Sequence, residues 1–156
     1  MSDPFTNFRF LVTLAPGDAY LPPLQAALLL QFFGGAFQEV KGLGADLEVT
    51  AYPEGGTSDF VHQLPVRHAW TRLSFRRGIV REPGLWSWYQ AGLHQSLGAR
   101  RDGAIWLLDE SGTPAISWVF RGGIAVKWTG PDFSATQAGV AIEGLEIAHH
   151  GLLQLP

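Results

Sequence analysis

The stretch over residues 116–151 constrains the fold of this chain more than any other part of its sequence. Apolar residues alternate with other residues over 116–120 and again over 124–128, on either side of the pair Gly122-Gly123. A period of two is typical of a β-strand, and glycines inside such a run mark a bend or a bulge. We therefore predict two strand segments with a bend between them, followed by a turn at the Gly-Pro-Asp sequence of 130–132.

The same alternation predicts further strands over 5–14, 37–52 and 69–77. Residues 60–64 are interpreted as a short edge segment that Pro65 ends, because proline cannot donate a hydrogen bond to a neighbouring strand. Two apolar runs, 104–109 and 116–120, flank a compact turn that contains glycine, which predicts a β-hairpin.

One helix is predicted to begin at Pro83, where the missing N–H of proline is tolerated, and Gly98 is expected to cap its end. Apolar residues recur at helical spacing between them, at Leu85, Tyr89, Leu93 and Leu97. The predicted fold is mainly β, a small β-barrel or sandwich with one flanking α-helix.

Composition limits the classes of protein to which this chain can belong. Its 156 residues, 46% of them apolar, suffice for a single domain with a buried core. There is no cysteine, which excludes disulfides and thiolate metal sites. The first residues lack the basic and apolar regions of a signal peptide, so Sec-type export is not expected. A net charge of −3 argues against stable binding to nucleic acid.

Charge is unevenly distributed along the chain. Residues 1–60 hold two basic and seven acidic side chains, whereas residues 61–130 hold nine basic and four acidic ones. Such segregation suits head-to-tail association of identical copies, although ion pairs within one subunit explain it equally well. The candidate intersubunit charge contacts are Arg72, Arg76, Arg77, Glu54 and Asp59.

Candidate catalytic groups are sparse in this sequence. His149-His150 beside Glu146 could form part of a zinc-dependent hydrolase, but adjacent strand residues point to opposite faces and make poor ligands together. The Asp109-Glu110 pair falls at a predicted turn, where solvated acids are ordinary. No serine has the surroundings of a nucleophile elbow. The sequence therefore predicts no enzyme, no metal and no cofactor.

Several sequence blocks together resemble the phage-tail tube family, the inner-tube proteins of contractile phage tails and of related bacterial injection particles. They are NFRFLV at 7–12, FQEVKGL at 37–43 followed by YPEGG, LSFRRGI and LWSWY, GAIWLLDESG, and the long block VKWTGPDFSATQAGVAIEGLEIAHHGL at 126–152. Each block alone is ordinary strand or helix material. Their common order and spacing span nearly the whole chain and make the resemblance specific.

The resemblance implies a non-enzymatic, β-barrel-like subunit that forms homo-hexameric rings. In the family these rings stack into a tube, neighbouring strands join into a barrel that lines the channel, and a contracting sheath drives the tube into a target. It implies sheath, baseplate or spike proteins as partners, and assembly in the bacterial cytoplasm as part of a phage tail or phage-tail-like particle. Asp46 and Glu48 lie on the polar side of a strand whose other side is apolar, so we expect both to face the channel.

The chain departs from the family pattern in an apolar insertion at about 19–36, within the single domain predicted for 1–156. Its apolar residues include the candidate partner contacts Leu24, Leu28, Leu29, Leu30, Phe32 and Phe33. The segment is too short for a membrane span, which needs ~20 apolar residues. It is interpreted either as a core-filling helix or as a contact with a neighbouring subunit, another protein or, less readily, a membrane. A partner contact favours a specialised first ring, the tube initiator, over an ordinary ring.

Two alternative functions from other classes stay open: the zinc-dependent hydrolase that would use His149 or His150, and a binding module. A carbohydrate-binding β-sandwich module would account for six tryptophans without catalysis, but it requires aromatic side chains on an exposed face.

Overall fold

The computed structural model describes residues 9–14, 37–56, 58–79, 84–95 and 100–155, and all structural statements below concern these residues. In chain order the elements are β1 (Phe10–Thr13), β2 (Phe37–Lys41), β3 (Ala45–Tyr52), β4 (His62–Trp70), β5 (Leu73–Gly78), α1 (Gly84–Gln95), β6 (Arg101–Leu108), β7 (Pro114–Thr129), β8 (Ile142–Ala148) and β9 (Gly151–Leu155). The prediction of a mainly β fold with one helix is confirmed for this part of the chain.

Seven of the described strands form one antiparallel sheet in the order β1-β6-β7-β8-β5-β2, with β9 also paired to β7. Among the described strands, β3 and β4 pair only with each other and form a separate two-stranded sheet. The seven strands remain an open sheet and do not close into a barrel within the described subunit. The predicted hairpin is confirmed as β6 and β7, which pair on either side of the turn at 109–113.

Strand β7 bends the sheet at Gly122-Gly123, as the sequence predicts, but it continues through the bend as one strand. Its first half pairs with β6 and β9, and its second half pairs with β8. Gly122 has φ of 62°, a left-handed conformation that favours glycine. At Gly123, a Cβ atom would lie 2.7 Å from the ring of Phe120 and 3.0 Å from the Arg101 carbonyl oxygen. Glycine is therefore needed where the strand passes from one half of the sheet to the other.

The main core lies between the two halves of the bent sheet and beneath α1. Its fully buried members come from both halves and from the helix, namely Leu73, Phe75, Leu85, Trp88, Phe120, Leu145 and Ile147, with Val12 and Ile105 beside them. Phe75 contacts Phe120 with ring centroids 6.2 Å apart. Helix α1 packs against β7. The halves therefore enclose one core in the manner of a sandwich.

A second buried cluster lies on the opposite face of β1, β6 and the first half of β7. It consists of Leu11, Ala104, Trp106, Leu108 and Val119. Leu11 pairs with Trp106 and Ala104 with Val119 across neighbouring strands, so these side chains share one face. This half of the sheet is thus buried on both faces, which explains why its strands are apolar at successive positions.

Several predicted boundaries were wrong. Strand β4 runs through Pro65 from His62 to Trp70, and the predicted strand over 69–77 is interrupted at 71–72, so that it is divided between β4 and β5. Leu93 is 65% exposed despite its helical spacing, because the buried face of α1 is formed by Leu85 and Trp88. The predicted helix end at Gly98 and the strand start at 5–8 lie outside the described residues.

Candidate assembly surfaces

The β3–β4 hairpin, residues 45–70 and called the arm below, is the most exposed element that the structure describes. All eight residues of β3 are exposed, and β4 is exposed from Gln63 to Ala69. Large apolar side chains are among them: Leu47 is 53% exposed and Val66 56%. A two-stranded hairpin alone is marginally stable in water, so an arm with this composition indicates a surface that another molecule covers.

The arm places the two predicted lumen residues on one face. Asp46 is opposite Ala69, and Glu48 is opposite Arg67, in the antiparallel register. The other face carries Leu47 and Val49 and is apolar, as the sequence analysis states, but it is exposed in the described subunit. Val49 is 46% exposed, because no other described strand pairs with the arm. The signal available in the sequence was Pro65 within a strand, which is typical of an unpaired edge.

The tip of the arm carries a hydrogen-bonded Glu–His pair and an aromatic cluster. The Glu54 carboxylate lies 2.7 Å from His62 Nε2, and both side chains are about half exposed. Phe60 packs edge-on against the His62 ring, with centroids 5.0 Å apart, and Tyr52 lies at 6.5 Å. Asp59 is exposed beside this cluster. The tip, which is the part of the arm farthest in sequence from residues 45 and 70, therefore combines acidic and apolar groups.

The root of the arm, where β2 leads into β3 and β4 leads into β5, is closely fixed. Gly42 has φ of 97°, and a Cβ atom there would lie 1.9 Å from the Arg72 carbonyl oxygen. The Thr71 N–H donates to the Gly44 carbonyl at 3.2 Å. The Thr71 carbonyl accepts a hydrogen bond from His149 Nε2 at 3.0 Å. These contacts join the arm to β8, the strand that His149 follows.

A second candidate surface is the half-sheet, which we define as β2, β5, β8 and residues 124–129 of β7. On the face away from the core, two rows of side chains cross these strands. One row runs Lys41, Ser74, Glu146 and Lys127; the other runs Glu39, Arg76, Gly144 and Thr129. Their charges pair within the subunit: Glu39 lies 2.8 Å from Lys41 and 3.4 Å from Arg76, and Glu146 lies 3.9 Å from Lys127.

The half-sheet face is concave and polar. A cavity of about 510 Å³ opens on it, with Gly144 in its lining and residues of the 130–141 loop contributing Asp132 and Val140. Hydrogen bonds to Lys41 and its charge lower the pKa of Glu39, and Arg76 adds to the effect. The face thus offers balanced, solvated charges rather than one sign of charge.

The five residues predicted to make intersubunit charge contacts have different environments. Arg77 Nε donates to Glu143 at 2.8 Å, and the two side chains are only 12% and 7% exposed. Trp128 Nε1 donates to the other oxygen of Glu143 at 3.3 Å. Arg77 therefore makes its ion pair inside the subunit, beneath the half-sheet. The other four residues, Arg72, Arg76, Glu54 and Asp59, are exposed.

The residues considered for catalysis have structural partners. Asp109 accepts hydrogen bonds from the Ser111 hydroxyl, the Ser111 N–H and the Thr113 N–H, at 2.6, 3.0 and 2.9 Å. These bonds lower the pKa of Asp109, with the Ser111 hydroxyl as the largest cause, and they close the hairpin turn. His150 Nε2 lies 2.9 Å from Arg100 Nη1, whereas His149 bonds to Thr71, so the two imidazoles have separate environments. The residues described contain no group of three potential metal ligands.

All six tryptophans lie in described elements, and each is buried or half-buried. Trp88 and Trp106 are 1% and 3% exposed, and Trp86 packs on Trp128 with centroids 4.7 Å apart. The exposed aromatic face that a carbohydrate-binding module requires is not formed by these side chains. No helix in the described part of the chain is long and apolar enough to cross a membrane.

The predicted partner contacts between Leu24 and Phe33 lie outside the described residues, and their role stays a prediction. Sequence reasoning missed both the unpaired edges of the half-sheet and the position of His149 at the arm root. Both depend on which distant segments pair, and the strand pattern alone does not contain that information.

Comparison with solved structures identifies the fold. A chain of the cryo-EM structure of the anti-feeding prophage (AFP) baseplate, 6-fold symmetrised, is 26% identical over 99% of this chain and 97% of its own, with a TM-score of 0.78. A chain of the AFP tube terminating cap is 21% identical over 99% and 93%, with a TM-score of 0.77. A chain of the sheath-tube complex of an extracellular contractile injection system, PVC, in the extended state is 21% identical over 97% and 91%, with a TM-score of 0.75. The last two likenesses show a shared fold.

Comparison of sequences identifies the family. No curated protein sequence matches the chain. The family model of the T4-like virus tail tube protein gp19 matches residues 6–153, which is nearly the whole chain. The chain therefore belongs to the T4-like virus tail tube protein gp19 family and is a structural protein of the tail-tube type.

Proposed function

We propose that six copies of this chain close into a ring by joining two strand edges, and that the ring forms part of the inner tube of a contractile injection particle or phage tail. The observation that carries the proposal is the half-sheet. Strand β2 pairs only with β5, and residues 124–129 of β7 pair only with β8, among the described strands. One subunit thus presents an unpaired edge at each side of the same four strands.

The strand directions support a head-to-tail contact between these edges. Each neighbouring pair in the half-sheet is antiparallel, so β2 and β7 run in opposite directions. When copies are related by rotation, β7 of one copy meets β2 of the next in antiparallel orientation. The alternation therefore continues across every subunit boundary, and closure of the ring leaves no exposed half-sheet edge to promote aggregation.

In the proposed ring, the arm makes a second contact between neighbouring copies. Its exposed apolar side chains, with Leu47 and Val66 among the largest, are covered when the arm lies on a neighbouring copy. Burying such a side chain contributes roughly 1.5–3 kcal/mol. Arg72, Arg76, Glu54 and Asp59 are the charged residues proposed for contacts between copies, which makes association sensitive to salt.

The channel wall follows from this arrangement. We place the polar face of the half-sheet at the lumen, with Asp46 and Glu48 continuing the wall onto the arm. The half-sheet charges are paired within each subunit, and the two arm acids add negative charge. Exchanging both acids for lysine is expected to leave assembly intact and to make the tube retain anionic cargo; loss of assembly would instead place them at a subunit contact.

A position near the baseplate is the finer part of the proposal. The baseplate relative is 26% identical and was solved with six-fold symmetry, whereas the sheath-tube relative is 21% identical. The apolar composition of the insertion also suits contact with a different protein, such as a baseplate or spike component. We therefore favour a specialised first ring, assembled in the bacterial cytoplasm, over an ordinary repeating ring.

Proline substitutions at the two edges test the ring. Gln38 and Val126 each fall at a register shift and have no cross-strand partner among the described strands. Gln38→Pro or Val126→Pro removes an N–H from an edge with little effect on the internal ladder. We expect either variant to remain a folded monomer in sedimentation experiments, whereas Gln38→Ala and Val126→Ala, which keep the N–H, should assemble. Unchanged assembly of both proline variants would exclude these edges as the contact.

A further inference from the structure

His149 occupies the junction between the arm and the main sheet. It follows β8, and its ring contacts Trp70, the last residue of the arm, with centroids 5.9 Å apart. Its Nε2 bonds to the carbonyl of Thr71, whose own N–H bonds to Gly44 on the other side of the root. One imidazole thus holds the segment through which both strands of the arm are attached.

The hydrogen bond fixes the tautomer of this imidazole. A carbonyl oxygen can only accept, so Nε2 must carry the proton and donate it to Thr71. In the neutral ring, Nδ1 is then an acceptor. This atom is buried and has no hydrogen-bond partner among the described residues. Protonation would place a new N–H and a positive charge at this buried atom, and burial disfavours the charged form.

The side chains around His149 do not favour a cation, whereas the carbonyls of Thr71 and Gly151 do. Trp70 and Thr71 face it from the arm side, Phe120 faces it from β7 with centroids 6.4 Å apart, and His150 is its chain neighbour. His150 is itself bonded to the Arg100 guanidinium, and on the arm His68 stacks on Trp70 at 4.5 Å. These neighbours are neutral or basic, and the two aromatic rings lie at or beyond the ~6 Å range of a cation–π contact.

We propose that His149 is a pH-sensitive anchor of the arm: the neutral ring packs at the arm root and donates to the Thr71 carbonyl, and protonation weakens the root because it places a charge and a second N–H at the buried Nδ1. The anchoring is a property of the single subunit. Its consequence, that acid weakens contacts between copies, rests on the proposed ring. A tube subunit with this device assembles at neutral pH and loosens its arm on acidification.

The direction of the effect follows from the surroundings. Burial, the largest cause, holds the pKa of His149 below its ordinary value of 6.5, and His150 adds to this, against the opposing effect of the backbone carbonyls. Because the folded state binds the proton less tightly than the unfolded state, the root is most stable above the unfolded pKa and loses stability as pH falls below it.

Amide hydrogen exchange of the dilute subunit tests the anchor without requiring a ring. The probe is the Thr71 amide at the root, and the internal reference is the Ile79 amide, which bonds to Ala141 at 2.9 Å. Between about pH 7.5 and about pH 5, on either side of an ordinary histidine pKa, we expect protection of Thr71 to fall several-fold relative to Ile79. An unchanged ratio would overturn the proposal.

Two variants assign the effect to His149. Gln can donate from its side-chain amide but does not titrate, so His149→Gln should keep protection of Thr71 and lose the pH dependence. His150→Gln is the matched control and should retain a pH-dependent protection of Thr71, because burial, the largest cause acting on His149, is unchanged. If His149→Gln retains the wild-type pH response, the proposal is wrong.

Nitrogen-15 NMR of the wild-type imidazoles gives a second readout in case the glutamine variant fails to fold. The expected result is an Nε2–H tautomer with a pKa below 6.5 for His149. An Nδ1–H tautomer, or a cation at neutral pH, would overturn the anchor. Rings that form but show no acid response would contradict only the inference about His149, whereas a monomer with a responsive root would contradict only the proposed ring.

Discussion

The buried ion pair between Arg77 and Glu143 allows a sharp test of how charge is used in this subunit. The perturbation is Glu143→Ala, which removes two contacts at once: the 2.8 Å bond from Arg77 Nε and the 3.3 Å bond from Trp128 Nε1. The Arg77 side chain is 12% exposed and would keep its charge without this carboxylate. We expect the substitution to destabilise the whole half-sheet, since Arg77 lies on β5, Glu143 on β8 and Trp128 on β7.

The magnitude follows from the burial of the pair. Removing one partner of a buried ion pair costs about 3–5 kcal/mol, because the remaining charge loses its compensation. Whole domains have unfolding free energies of about 5–15 kcal/mol, so Glu143→Ala should remove a large part of the unfolding free energy of this subunit. Arg76→Ala is the matched control, since Arg76 pairs with Glu39 at 3.4 Å, is 55% exposed and should change stability by only ~0–1 kcal/mol.

The assay is denaturant unfolding of both variants at a concentration where the chain is monomeric. A lower transition midpoint with an unchanged slope identifies a loss of stability. A double substitution, Arg77→Met with Glu143→Leu, should recover most of the loss, because it removes the uncompensated charge as well as its partner. If Glu143→Ala costs less than ~1 kcal/mol, below the range for a buried pair, the pair is not the internal contact described, and Arg77 is available for intersubunit contacts after all.

Three further predictions concern the arm root, the hairpin turn and the insertion. Gly42→Ala should destabilise the subunit in thermal unfolding by more than Gly56→Ala; both have positive φ, which costs about 1–2 kcal/mol, but only the first adds a clash at 1.9 Å. Because the pKa of Asp109 is lowered in the folded state, its carboxylate stabilises the fold above the unfolded pKa, and this stability is lost as pH falls through the folded pKa. Asp109→Asn should therefore flatten the decline of the unfolding free energy below about pH 4; an unchanged acid profile would contradict this. In the insertion, the third variant replaces Leu29, Leu30, Phe32 and Phe33 together by serine, and its thermal unfolding is followed by circular dichroism. The transition should remain if the segment contacts a partner. It should be lost if the segment is core, because each large-to-small core substitution costs ~2–5 kcal/mol.

The local elements of the fold could be predicted because their signals are local. Alternation with two glycines located the bend of β7, and paired apolar runs located the β6–β7 hairpin. The helix could be predicted from Pro83 and the spacing of Leu85 and Tyr89. Its buried face could not, since Trp88 rather than Leu93 enters the core. Which side of a helix is covered depends on the strand beneath it, and that is not a local property.

The candidate surfaces were less predictable for the same reason. The alternation over 45–52 looks like a half-buried strand, yet the arm is exposed on both faces within one subunit. Hydrophobic pattern indicates that a face will be covered, but it does not distinguish cover by the same chain from cover by another copy. Charge segregation has the same ambiguity: Arg77 pairs internally with Glu143, while Arg72 and Asp59 are exposed.

The central claim is that the subunit closes into a six-membered ring through the edges of its half-sheet. Electron microscopy of the purified chain at high concentration and low salt tests it most directly. We expect hexameric rings or stacked tubes with a central channel for the wild type and the alanine edge variants, and none for Gln38→Pro and Val126→Pro. Fields of monomers alone for the wild type, under conditions that favour charge contacts between copies, would contradict it.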